Sequence, residues 1–193
     1  MPNLQALIDL PARLLASPSD IVLVILLAAA AAIDWRVHRI PNGLTVGGMA
    51  FGLLYNAAVH GLGSGLLPAI AGLAAGLALL LPLYALRVMG AGDVKLMAMV
   101  GAFLGISQIA QVVVCTFIAG GIAALVFAIW HRAVRRMTAN VADIAQSMAF
   151  AAIVGVRPSP ELSRRPSIGK LPYAVSIAAG TIGWLVAGLA GLG

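Results

Sequence analysis

Apolar residues run along this chain in blocks, and polar positions gather between the blocks. The first block, Ile21 to Ile33, has 13 residues. A transmembrane helix needs roughly 20. Counting from Ser19 to Val37 supplies the length and places Asp34 within the last turns, near one membrane face. Pro41 ends the helix, and Asn42-Gly43 is a turn signal. A second span is predicted from Leu44 to Val59, and His60 to Ser64 forms an uncharged turn. A third runs from Gly65 to Leu86, with Pro82 as a kink near its end. Arg87 to Asp93 is a loop. Asp93 to Trp130 is too long for one crossing and suits two, Asp93–Leu104 and Ile109–Trp130, with a weak break over Gly105–Gln108. A final span covers Leu171 to Leu192. Two segments stand apart. Residues 1–18 lack the basic start and cleavage site of a secretory signal and read as a short interfacial segment. In the polar stretch 131–170, Val134, Met137, Val141, Ile144 and Met148 recur at alternating steps of three and four, which predicts an amphipathic helix flat on the membrane.

Composition turns these blocks into a fold class. Charged residues make up 9% of the chain and hydrophobic residues 62%, and the mean hydropathy is +1.04. A soluble domain is about a quarter charged, so lipid must solvate most of this one. The expectation is an all-α polytopic membrane bundle of about six transmembrane helices, formed as a single membrane-embedded domain over 1–193. The net charge of +6 fits this plan. With six crossings, the loops after spans one, three and five hold every Lys and Arg except Arg13. The positive-inside rule then puts those loops in the cytoplasm and both termini outside. No basic stretch is interleaved with aromatics, so no nucleic-acid partner is expected. Cys115, the one cysteine, reads as a small buried hydrophobe. Trp35 and Trp130 read as interface anchors and Trp184 as packing.

Chemistry has few places to reside. Of six acidic residues, Asp9, Asp20, Asp143 and Glu161 fall in interfacial or aqueous segments. Asp34 and Asp93 remain, each at the cytoplasmic end of a span, where an acid is expensive and has a partner or a function. The plain alternative is an ion pair, Asp34 with Arg36 or Arg39 and Asp93 with Lys95. The functional reading is a carboxylate pair. Two acids brought close in low dielectric do not both ionise readily. One then takes a proton from water while the other polarises a peptide carbonyl, and the pair titrates as a unit. The segment Gly90-Ala91-Gly92-Asp93 suits this chemistry, because glycine lets backbone approach closely and tolerates positive φ. Arg36, Arg39 and Lys95 serve as headgroup anchors, tune the acids or hold a charged substrate segment. The chain has no HExxH and no GxSxG, and His38, His60 and His131 are scattered over loops, so neither a metal site nor a serine nucleophile is expected.

Asp34-Trp-Arg-Val-His-Arg-Ile-Pro-Asn42, followed by Gly90-Ala-Gly-Asp-Val-Lys-Leu96, resembles the type IV prepilin peptidase family of aspartic (GxGD) membrane proteases. The resemblance implies that Asp34 and Asp93 are the catalytic pair, that Gly90 and Gly92 belong to the active-site motif, and that Arg39, Pro41, Asn42 and Lys95 support it. It also implies a prepilin-like membrane precursor as substrate, cut at the cytoplasmic face of the inner membrane, and no cofactor. Long members carry paired CxxC motifs linked to zinc and to methylation of the product. This sequence is similar instead to the short peptidases of tight-adherence (Flp-type) pilus systems, so peptidase activity alone is expected. A rival reading is a small transporter using the two acids as a proton or cation relay. That reading predicts acids near mid-membrane and polar residues lining several helices, whereas these spans are nearly free of them.

Overall fold

A computed structural model describes residues 17–86, 88–130 and 173–189. The interfacial segment over 1–16 and the amphipathic helix and basic loop over 131–170 lie outside the described residues. Within them every regular element is helical: α1 (Pro18–Val37), α2 (Asn42–Gly61), α3 (Leu67–Ala85), α4 (Ala91–Leu104), α5 (Ile106–Trp130) and α6 (Tyr173–Leu189). The chain divides into two compact units, Met1–Gly120 with Pro172–Gly193, and Gly121–Leu171. Of the second, only the C-terminal end of α5 is described.

Local chemistry explains where the helices stop. α1 starts with Pro18 in its first turn and Asp20 beside it, a fixed φ and a negative charge where the helix end needs them. It ends at His38, which is left-handed (φ 50) and donates its N–H to the Asp34 carbonyl at 2.8 Å. Pro41 then serves as N-cap of α2. Two expected loops are tighter than the sequence suggests. Gly105, at φ 78, alone separates α4 from α5, because one glycine with positive φ can reverse a chain. Between α2 and α3 the turn is a π-helical piece, Leu62–Leu66, entered through Gly61 at φ 83. Gly65 lies directly against the Asn56 carbonyl and the Cβ of His60. In an unbroken helix nine residues would separate them by about 13.5 Å, so the chain doubles back here. Pro82 lies within the last turns of α3, and the Leu86 N–H reaches its carbonyl at 2.9 Å.

The centre of the first unit is α4. Its residues Leu96 to Phe103 are buried without interruption, and it packs against α1, α2, α3 and α6. Around it, Ile25, Trp35, Leu54, Leu67 and Val114 are exposed large apolar side chains. Such a surface fits a lipid solvent, and the stretches Asn42–Ala85 and Ile106–Val126 are long and apolar enough to cross a membrane. Trp35 is exposed near the end of α1, whereas Trp184 packs against the core and Cys115 is half-buried.

Helices in lipid gain little from burying apolar area, so close backbone packing takes over. Gly72 and Gly76 of α3 meet Gly101, Gly105 and Met97 of α4, and Gly48 and Gly52 of α2 meet Met99, Ala102 and Phe103. The central helix is thus gripped on two sides by glycines spaced four apart. At its C-terminal end, the Asn56 amide donates to the Ala102 and Phe103 carbonyls, both at 3.2 Å, satisfying acceptors that the helix end leaves open.

A Cβ on Gly76 would lie 2.6 Å from the Met97 carbonyl oxygen, while Gly47 has open space around its Cα. Gly76→Val is therefore expected to lower stability by about 2 kcal/mol or more through forced separation of backbones. Gly47→Ala should be neutral or stabilising by up to about 1 kcal/mol. Thermal unfolding of the solubilised protein checks both, and equal losses would disprove this packing scheme.

Candidate active site

The site gathers where the C-terminal end of α1 meets the N-terminal ends of α4 and α6. Asp34 sits one turn from the end of α1 and is 7% exposed; Asp93 is the third residue of α4 and is 8% exposed. Burial of a carboxylate removes its water and costs several kcal/mol unless donors replace it. Each acid has one. Asp93 Oδ2 accepts the Gly90 N–H at 3.1 Å, while the Asp93 and Val94 N–H groups donate to the Gly90 carbonyl at 3.2 and 3.4 Å. This is one half of a capping box, the acid at the third helical position bonding back to the N-cap amide, since Gly90 has no side chain to return the bond. Asp34 Oδ2 accepts the backbone N–H of Ala174, in the first turn of α6, at 3.3 Å. α4 packs against both α1 and α6, so the helix ends that carry Asp34 and Asp93 belong to one packed group.

The two sequence motifs are joined by direct packing. Gly92 faces the side chain of Ile40, and a Cβ added at Gly92 would lie 3.2 Å from the Ile40 Cβ. Lys95 Nζ donates to Asn42 Oδ1 at 2.9 Å. Lys95 therefore ties the start of α2 to the first turns of α4, and Asp93 is held instead by backbone. Pro41, at φ −63 and ψ 133, directs the chain from that loop into α2. Arg36 and Arg39 are exposed at the same end of α1. Among the described residues, no group of three or more His, Cys, Asp or Glu side chains comes together.

Of the two properties expected of these glycines, close approach and tolerance of positive φ, the second is not used. Gly90 has φ −78, and among the described glycines only Gly61 and Gly105 have positive φ. Space is what Gly90 and Gly92 provide. A Cβ on Gly90 would stand 3.3 Å from Asp93 Oδ2, crowding the carboxylate it caps. The backbone groups of Gly90 are used inside the capping box, so they are not open to an extended peptide.

Ala174 was not legible as a partner of Asp34. Ala174 acts through its amide, which carries no side-chain signature, and 139 residues separate it from Asp34 along the chain. The available signal was Pro172 at the start of the last apolar block, where a sequence reading expects a helix to begin.

Residues 21–129, more than half of the chain, match the model of the type IV leader peptidase family. No curated relative and no solved structure matches. The matched stretch takes in both acids and the Lys95–Asn42 contact; α6 lies beyond it.

The Lys95–Asn42 contact lends itself to a double-mutant cycle. Asn42→Ala and Lys95→Met should each lower stability by about 0.5–1.5 kcal/mol, and the double variant by no more than the larger single loss. Equilibrium unfolding of the four proteins measures the coupling, and strictly additive losses would show that the two side chains act independently.

Proposed function

Because the chain belongs to the type IV leader peptidase family, and so takes the role of an integral-membrane prepilin leader peptidase, we propose that it is an aspartic endopeptidase whose catalytic pair is Asp34 and Asp93. The reading rests on one observation: two buried carboxylates, 59 positions apart in sequence, stand where helix ends converge, Asp34 bonded to the start of α6 and Asp93 at the start of α4, which packs against both α1 and α6. Two acids so placed share a proton. The ionised one accepts a proton from a water molecule as the water oxygen attacks the scissile carbonyl carbon. The protonated one donates to the carbonyl oxygen, giving a neutral tetrahedral diol. Collapse of the diol transfers a proton to the peptide nitrogen and breaks the C–N bond, so no covalent enzyme intermediate forms.

In this proposal all six helices cross the bilayer, the termini are extracytoplasmic, and the site faces the cytoplasm of the inner membrane. The 14-residue α4 is about 21 Å long, shorter than the roughly 30 Å hydrocarbon core. Asp93 at its start is then sunk below the membrane surface, at a depth where a precursor's apolar stalk helix begins. The substrate is a prepilin-like precursor of the Flp type, with its leader lying in the cytoplasm. Exposed Arg36 and Arg39 lie where the substrate would pass from water into lipid.

Co-expression with a pilin precursor tests the reading. Asp34→Asn and Asp93→Asn should each slow leader removal by about 10²–10⁴-fold while the protein still reaches the membrane fraction. Mass spectrometry of the precursor reads the outcome, and normal processing by either variant would refute the proposed pair.

A further inference from the structure

α2 holds α4 by polar bonds at both ends. At the start of α4, Lys95 Nζ donates to Asn42 Oδ1 at 2.9 Å. At its far end, the Asn56 amide donates to the Ala102 and Phe103 carbonyls, each at 3.2 Å, and to Gly52 of its own helix at 3.0 Å. The two asparagines stand 14 positions apart on α2, about 21 Å along a helix, and α4 is itself 14 residues long. Between them Gly48 lies against Met99, and Gly52 against Ala102 and Phe103. The Phe51 ring stacks on that of Phe103, with centroids 5.9 Å apart. Both helices therefore advance together, side by side and in the same direction.

Apolar pairing of this kind does not fix an axial position by itself. Glycines spaced four apart present a similar groove after each turn, so a slide of one turn, about 5.4 Å, would set Gly52 under Met99. The polar bonds tell the registers apart. Asn42 meets Lys95, and Asn56 meets the last turn of α4, in one register only. Separating a buried polar group from its partner in lipid is costly, so a slip in either direction is penalised. A single polar residue in an apolar seam specifies the register of coiled coils in the same way.

We infer that Asn42 and Asn56 are positioning residues that lock α4 to one register on α2, and so fix the depth at which Asp93 acts and the bond that is cut. This rests on Asp93 belonging to the catalytic pair. α4 carries the constraint as a rod, since Phe103 is ten positions from Asp93, about 15 Å along the axis. Asp34 takes its position from elsewhere: α1 packs along α6, and the Ala174 amide holds the carboxylate. A shift of α4 along α2 therefore changes the height of Asp93 against Asp34 and against the peptide bond between them.

The test works from Asn56, the end remote from the acids, in the full chain in detergent or vesicles with a pilin precursor as substrate. Asn56→Leu removes the amide and keeps an apolar side chain of similar size. It should lower kcat per folded enzyme by about 10–10²-fold, the cost of a misplacement of about 1 Å. Mass spectrometry should also show a second product, cut at a neighbouring peptide bond. A loss of folded protein lowers the yield and adds no such product. If Asn56→Leu fails to accumulate, Asn56→Ser takes its place, because a serine hydroxyl bonds back to its own helix and is too short to reach α4. A single product at wild-type kcat, with Asp34→Asn and Asp93→Asn inactive, overturns the inference and leaves the proposed pair standing. A slower reaction that still gives the single product overturns it as well, since the register of α4 then does not choose the bond. Activity in Asp93→Asn removes the proposed pair, and this inference with it.

Discussion

A carboxylate taken out of water must find other donors, and in this bundle the donors are backbone amides at helix ends. Side-chain cations are present nearby, yet the contacts made are different: Asp93 is capped by Gly90, Asp34 is met by Ala174, and Lys95 turns to Asn42. An N–H group is a fixed dipole that brings no net charge. It can satisfy an acid without tying it up in an ion pair, and leaves it free to exchange a proton. Salt bridges from Arg36 or Lys95 would have satisfied the acids equally well and removed that freedom.

This arrangement demands that three helix ends converge, and α4 makes the convergence possible. It is short, buried along most of its length and held by glycine faces on α2 and α3. Close backbone packing fixes helix positions to within fractions of an ångström, because protein interiors resist both gaps and overlaps. The glycines at 72, 76, 101 and 105 thereby determine where Asp93 stands, although all are remote from it along the helix axis. Gly92 does the same at the site itself, leaving room for Ile40 so that the loop after α1 can close on α4.

The transporter alternative predicted acids near mid-membrane with polar residues on several helices. The described bundle places Asp34 and Asp93 at helix ends, and its buried polar side chains are few: Thr45, Thr116, Ser176 and Thr181 besides the two acids. Of these, the Thr45 and Thr181 hydroxyls bond to carbonyls of their own helices.

The helices were legible in the chain because each is a long apolar block bounded by Pro, Gly or charge, and such blocks in lipid have only one way to satisfy their backbone. The two acids were legible for a related reason: a span tolerates so few charges that those remaining stand out. Tight reversals were less so, since Gly61 and Gly105 do their work through a backbone angle that composition does not display. Sequence offered both close approach and tolerance of positive φ for Gly90 and Gly92, and the fold uses the room and not the angle. What only the tertiary structure decided is the partnership: Gly90 on Asp93, Lys95 on Asn42, and the start of α6 on Asp34. The last two join positions tens to more than a hundred residues apart, and the first and last run through backbone amides that every residue type except proline possesses. A sequence can mark which residues are chemically costly in lipid. Only the packed helices determine which donors relieve that cost.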